Sequence, residues 1–165
     1  MFSAEILALA QIALDTCRAH GWRVATAESC TGGLVAVALT ALAGSSDVFE
    51  RGFVTYSNEA KSQLLGVPPA TIAAHGAVSA ETAAAMAEGA LLRAAADLAV
   101  AVAGVAGPGG GSAEKPVGLV FLGLATRDGT RRIERHLLPG DRAAVRGAAL
   151  RRALELIAAE ARSRG

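Results

Sequence analysis

Residues 97–104, DLAVAVAG, leave an extended chain almost nothing polar to show to water on either face. A strand of that kind belongs in the middle of a sheet with a layer of structure on each side. Around it the apolar rhythm switches between helical and extended spacing, and the switches fall at glycine, proline or serine. A helix over 4–19 leads to the strand WRVATAE, and GGLVAVALTALAG (32–44) reads as a helix closed by Gly44. FERGFVTYS is a second strand, NEAKSQLLG a short helix ending at Gly66, and PPATIAAHG another turn or two. Ser79 is placed to cap a long alanine-rich helix over 80–96. Residues 117–140 have the look of a hairpin turning at Asp128-Gly129, and a closing helix over 141–164 has Asp141 as its cap. Five strands with helices before, between and after them predict an α/β fold. Its expected form is a three-layer α/β/α sandwich with a mixed, mostly parallel five-stranded sheet, in one domain spanning 1–165.

The formal net charge is only +1, with both signs mixed along the chain, so no long-range field draws in a nucleic acid or an anionic membrane. The apolar opening MFSAEILALAQIALDTCRAH carries Glu5 and Asp15 and keeps helical spacing, which fits an amphipathic helix rather than a leader or a membrane span. Cys17 and Cys30 form no CxxC pair, so a reducing compartment, the cytoplasm, is expected. His20, His75 and His136 are scattered and HExxH is missing, which argues against a protein-built metal site.

Chemistry concentrates in TAESCTGG (26–33), where a strand gives way to a helix. Ser29 falls near helix-terminal N–H groups able to hold an oxyanion, and Gly32 and Gly33 let a substrate approach the backbone. On spacing alone, Ser29 or Thr31 reads as well as a simple N-cap. A serine nucleophile needs a base, no Ser-His-Asp set suggests itself, and only two lysines are present, Lys61 and Lys115. Lys61 lies in the first turn of a helix, where the dipole and burial both disfavour the ammonium, and Tyr56 precedes it at a strand end. Solvated surface roles fit both equally well at this point. Cys30 is the competing nucleophile, but a free cysteine is more often a small buried hydrophobe. GVAGPGGGSAEKP matches neither GxxxxGK[ST] nor GxGxxG, and leaves a backbone-rich loop at a strand end. Arg142 and Arg146, four apart on the last helix, share a face that can clamp a phosphate or simply face water.

Taken together, TAESCTGG, FERGFVTYSNEAKSQLLGV, GAVSAETAAAMAEGAL, GVAGPGGGSAEKPVGLV and GDRAAVRGAALRRAL closely resemble the CinA C-terminal domain family of nicotinamide-nucleotide amidohydrolases, over nearly the whole chain. The chain looks like the family's stand-alone form. The resemblance implies hydrolysis of the carboxamide of nicotinamide mononucleotide to nicotinate mononucleotide and ammonia, with no metal or organic cofactor. It places the serine nucleophile on Ser29 and its partners on Tyr56 and Lys61. Oxyanion and substrate contacts fall on Cys30, Thr31, Gly32 and Gly33, and the glycine-rich loop on Gly107, Gly109, Gly110 and Gly111. Arg142 matches the arginine of the GDR element and is assigned to the nucleotide phosphate; Ala103 departs from the threonine that relatives often carry. Two other readings use the same residues: a regulatory module that binds a nucleotide without hydrolysing it, and an amidase for another carboxamide. The alanine-rich apolar helices would suit a homodimer interface.

Overall fold

The computed structural model describes residues 1–164. Its strands are β1 (Val24–Glu28), β2 (Phe49–Val54), β3 (Leu98–Gly104), β4 (Leu119–Thr126) and β5 (Arg131–Leu137). The helices are α1 (Ala4–Ala19), α2 (Leu34–Thr40), α3 (Asn58–Leu65), α4 (Pro69–His75), α5 (Ala80–Arg93) and α6 (Arg142–Arg162). The sheet order is β2-β1-β3-β4-β5. β1 pairs parallel with β2 and β3, whereas β4 is antiparallel to both β3 and β5. Four strands therefore share a direction and β4 alone runs against them.

The central strand β3 alternates large with small rather than apolar with polar. Leu98, Val100 and Val102 join Leu14, Leu154 and Ile157 in the core beneath α1 and α6. Ala99, Ala101 and Ala103 meet Met86, Ala87 and Ala90 of α5 on the other face. With only methyl groups on this face of β3, α5 lies close against the sheet. A side chain on Gly123 would strike the Ala83 carbonyl, and one on Gly89 would sit on the carbonyl oxygen of Leu65, the last residue of α3. Ala103 thus belongs to this packed layer, 1% exposed.

The caps expected of Ser79 and Asp141 are present: their side chains accept from Thr82 N and Ala144 N. Two local expectations need correction. α2 stops at Thr40, and Gly44, left-handed at φ 82°, instead opens a 3-10 turn over Ser45–Asp47. Neither Ser29 nor Thr31 caps α2; its N-cap is Gly33, with no side-chain bond. Among the described residues no helix is long and apolar enough to cross a membrane.

Candidate active site

Sheet order puts a topological switch beside β1: the chain leaves it through α2 on one face and returns through α3 and α5 on the other. In open α/β sheets such a point opens a crevice at the carboxyl ends of the strands. Ser29 follows the end of β1, Tyr56 that of β2 and the glycine-rich loop that of β3. All three line a cleft of about 290 Å³ with Cys30, Asn58, Lys61, Gly107, Gly109, Gly110 and Arg142.

Alternation along β1 divides the labour at its end. Val24 lies on the α1/α6 face, and Glu28, two pleats on, sends its carboxylate to the same side. There Oε1 accepts from Val35 N at 2.9 Å and Oε2 from Ala36 N at 3.0 Å. This glutamate, 1% exposed, thus neutralises the start of α2 in place of a serine or threonine cap. The residue gives no recognisable cap signal because it stands seven positions before the first N–H that donates to it. Its substitution by glutamine leaves one buried N–H without a good acceptor and is expected to cost about 2–3 kcal/mol, read as a lower midpoint in denaturant unfolding. An unchanged midpoint would refute the cap.

Ser29, the next residue, continues the ladder through its N–H to Val102 O at 2.9 Å. Its Oγ lies 3.1 Å from Lys61 Nζ. Ser57 caps α3 by accepting from Ala60 N, and Gly66 closes it in the left-handed conformation, which fixes the turn that carries Lys61. Lys61 is 1% exposed, and among the described residues the other hydrogen bonds of its amine go to main-chain oxygens: Thr55 O at 2.9 Å and Tyr56 O at 3.3 Å. No carboxylate pairs with it among the described residues. Desolvation by burial accordingly pushes its pKa below the ordinary lysine value. Burial acts the opposite way on Cys30, whose thiol is pushed up to about 11 and stays protonated near neutrality.

The peptides after Ser29 are committed only in part. Gly32 N donates to Ser29 O and Leu34 N to Thr31 O, while those of Cys30, Thr31 and Gly33 donate to no protein acceptor among the described residues. Gly32 is therefore a turn-former, with φ 59°, rather than a free donor. Thr31 is fully buried, and Gly33 faces Val54. The cleft lining takes in Ser29 and Cys30 but not the side chain of Thr31 or the residues Gly32 and Gly33, of which Gly32 is exposed.

Tyr56 contacts Lys61 through its carbonyl, while its hydroxyl, on a side chain left 61% exposed, accepts from Arg142 Nη2 at 3.2 Å. Arg142 also donates through Nη1 to Gly107 O at 2.8 Å, tying the glycine-rich loop to the mouth of the cleft. Gly109 and Gly110 line the cleft, whereas Gly111 packs against the backbone at Val117. Arg146 does not join Arg142 in a clamp; it reaches the Cys30 and Thr31 carbonyls. Sequence reasoning paired the two arginines by helical spacing and had no means of seeing the tertiary acceptors. A second cleft, of about 650 Å³, adjoins the first and is lined by Ala106, Pro108, Gly140, Asp141, Arg142 and Arg146.

Residues 6–161 match the CinA C-terminal domain model. The chain is 51% identical over 157 residues to the nicotinamide-nucleotide amidohydrolase PncC of Escherichia coli, covering 95% of each. A CinA-like protein from a Geobacter species is 58% identical over 129 residues, 78% of this chain and 31% of that longer protein. Among solved structures, the competence/damage inducible protein CihA from Agrobacterium tumefaciens superposes with a TM-score of 0.94 at 51% identity, covering 96% of this chain and 97% of that one. A CinA superfamily protein from Klebsiella pneumoniae gives 0.92 at 38% identity, covering 96% and 98%.

Proposed function

Because the chain belongs to the CinA C-terminal domain family, we propose that it hydrolyses the carboxamide of nicotinamide mononucleotide, giving nicotinate mononucleotide and ammonia. The observation that carries this reading is the Lys61–Ser29 contact, with a buried amine and no acidic partner among the described residues. A neutral lysine amine has two N–H groups and one lone pair. Thr55 O and Tyr56 O take the two N–H groups, which aims the lone pair at the Ser29 hydroxyl.

Ser29 Oγ attacks the amide carbon as its proton passes to Lys61 Nζ. The carbonyl oxygen becomes an oxyanion, held by the uncommitted N–H groups of Cys30 and Thr31. Lys61 returns the proton to the departing nitrogen, the C–N bond breaks, ammonia leaves, and a nicotinoyl ester remains on Ser29. Water then attacks that ester with Lys61 again as base, releasing the carboxylate and restoring the serine. Nucleophile, base and oxyanion donors all come from the chain, so the chemistry needs no metal or cofactor. Tyr56 serves the base through its carbonyl, and its hydroxyl with Arg142 shapes the mouth of the cleft. The N–H groups of Gly109 and Gly110, which donate to no protein acceptor among the described residues, and the guanidinium of Arg142 suit the nucleotide's ribose and phosphate.

Ammonia release measured with a chelator present tests the reading. The expected result is turnover of nicotinamide mononucleotide with kcat/KM about 10–100-fold above that for the unphosphorylated riboside, the worth of one charge-assisted phosphate contact. Absence of ammonia from the nucleotide, with binding retained, would replace the enzyme by a nucleotide-binding module. Equal use of nucleotide and riboside would remove the phosphate contact from the proposal.

A further inference from the structure

Arg146 stands on α6, 116 residues beyond Cys30, yet its side chain ends on the loop that follows the nucleophile. Nε donates to Cys30 O at 3.0 Å and Nη2 to Thr31 O at 3.2 Å. Leu34 N also donates to that Thr31 oxygen. Across a planar trans peptide, C=O and N–H point in opposite directions. A guanidinium gripping the Cys30 carbonyl from the α6 side therefore turns the Thr31 N–H of the same peptide away from α6. The grip on the Thr31 carbonyl fixes the next peptide, whose Gly32 N–H is spent on Ser29 O. Glu28 meanwhile consumes the Val35 and Ala36 donors, so helix-terminal amides deeper in α2 are closed to a substrate. The donors left over are those of peptides that Arg146 and the Gly32 turn orient.

The geometry points to Arg146 as a positioning residue for the oxyanion site: it holds the Cys30–Thr31 peptide so that its N–H faces the developing charge on a substrate attacked by Ser29. This rests on the amidohydrolase reading. A planar fork with fixed donor directions can grip two successive carbonyls, which a lysine ammonium does less well. Because Arg146 also lines the second cleft, a direct phosphate contact is the rival role that the test must separate.

The test compares wild type, Arg146→Lys and Arg146→Met in kcat and KM for nicotinamide mononucleotide and for its riboside, alongside titration with pyridine-3-boronic acid, which forms a tetrahedral adduct on an active serine. Arg146→Met is expected to lower kcat about 100-fold for both substrates, as loss of alignment at the reacting centre does. KM and the pH midpoint set by Lys61 stay in place, boronate affinity falls by a similar factor, and Arg146→Lys recovers about 10-fold. Unchanged kcat and boronate affinity would overturn the proposal, as would a KM increase confined to the phosphorylated substrate. If Arg146→Met does not fold, the kcat and boronate affinity of Arg146→Lys decide. If wild type turns over neither amide but binds boronate through Ser29, the substrate reading has failed, and the boronate affinities alone judge Arg146.

Discussion

Ser29→Ala is expected to lower ammonia release from nicotinamide mononucleotide by on the order of 10⁶-fold, the effect of deleting a nucleophile from a serine hydrolase. The fold should barely notice. Among the described residues Ser29 Oγ has one hydrogen-bond partner, Lys61 Nζ at 3.1 Å, so the loss is about 1 kcal/mol and a melting temperature within a few degrees of wild type. Calorimetry should then record the nucleotide bound and intact. Cys30, the neighbouring thiol, offers no rescue at neutral pH because burial keeps it protonated, up to about 11. Ammonia release persisting in Ser29→Ala and vanishing in Cys30→Ala would transfer the nucleophile to the thiol and sink the serine mechanism.

Lys61→Met has two expected effects of opposite sign. Activity falls by on the order of 10⁴-fold, the upper range for general-base catalysis. In wild type the base works only when neutral, and desolvation lowers its pKa, so the rate rises with pH through a midpoint below that of an ordinary lysine. Methionine should abolish that limb; a retained limb would assign the base elsewhere. Stability moves the other way. Lysine in the unfolded chain holds its proton up to about 10.5, while the folded pKa is lower. Below the folded value the native state carries the full cost of a buried ammonium. That cost fades as pH rises through the window between the two values, where the unfolded chain binds more protons. Lys61→Met is therefore expected to stabilise by about 1 kcal/mol at neutral pH, a gain of about 2–4 °C, with the gain fading as pH rises towards 10.5. Thermal melts across pH check this; a destabilised variant at neutral pH would mean the three amine contacts outweigh the desolvation.

The elements were legible where local rules act alone. Ser79 and Asp141 cap their helices, Asp128-Gly129 turns the hairpin, and the apolar run of β3 places it centrally. PPATIAAHG, read as a turn or two, forms α4 with proline at its start, where the missing N–H costs nothing. Ser29 and Lys61 stood as candidate nucleophile and base by residue type, with solvated roles fitting equally well until the resemblance favoured the pair, and their approach across 32 positions is now a distance. Glu28 and Arg146 escaped because their roles depend on acceptors and donors supplied by other elements. The same cause hid the partners of Arg142, Gly107 and Tyr56, which lie 35 and 86 residues away. Helical spacing locates a side chain on a face and is silent about what the sheet brings opposite it.

The contact of Gly89 with the Leu65 carbonyl extends the reach of the site into α5. α3 is seated at its last residue by the missing side chain of another helix, and Lys61 lies one turn from that seat. Any residue larger than hydrogen at position 89 acts as a wedge whose displacement is delivered to the amine. In a library randomised along α5 and screened for turnover, position 89 would therefore behave like a catalytic position, though nothing at it ever meets the substrate.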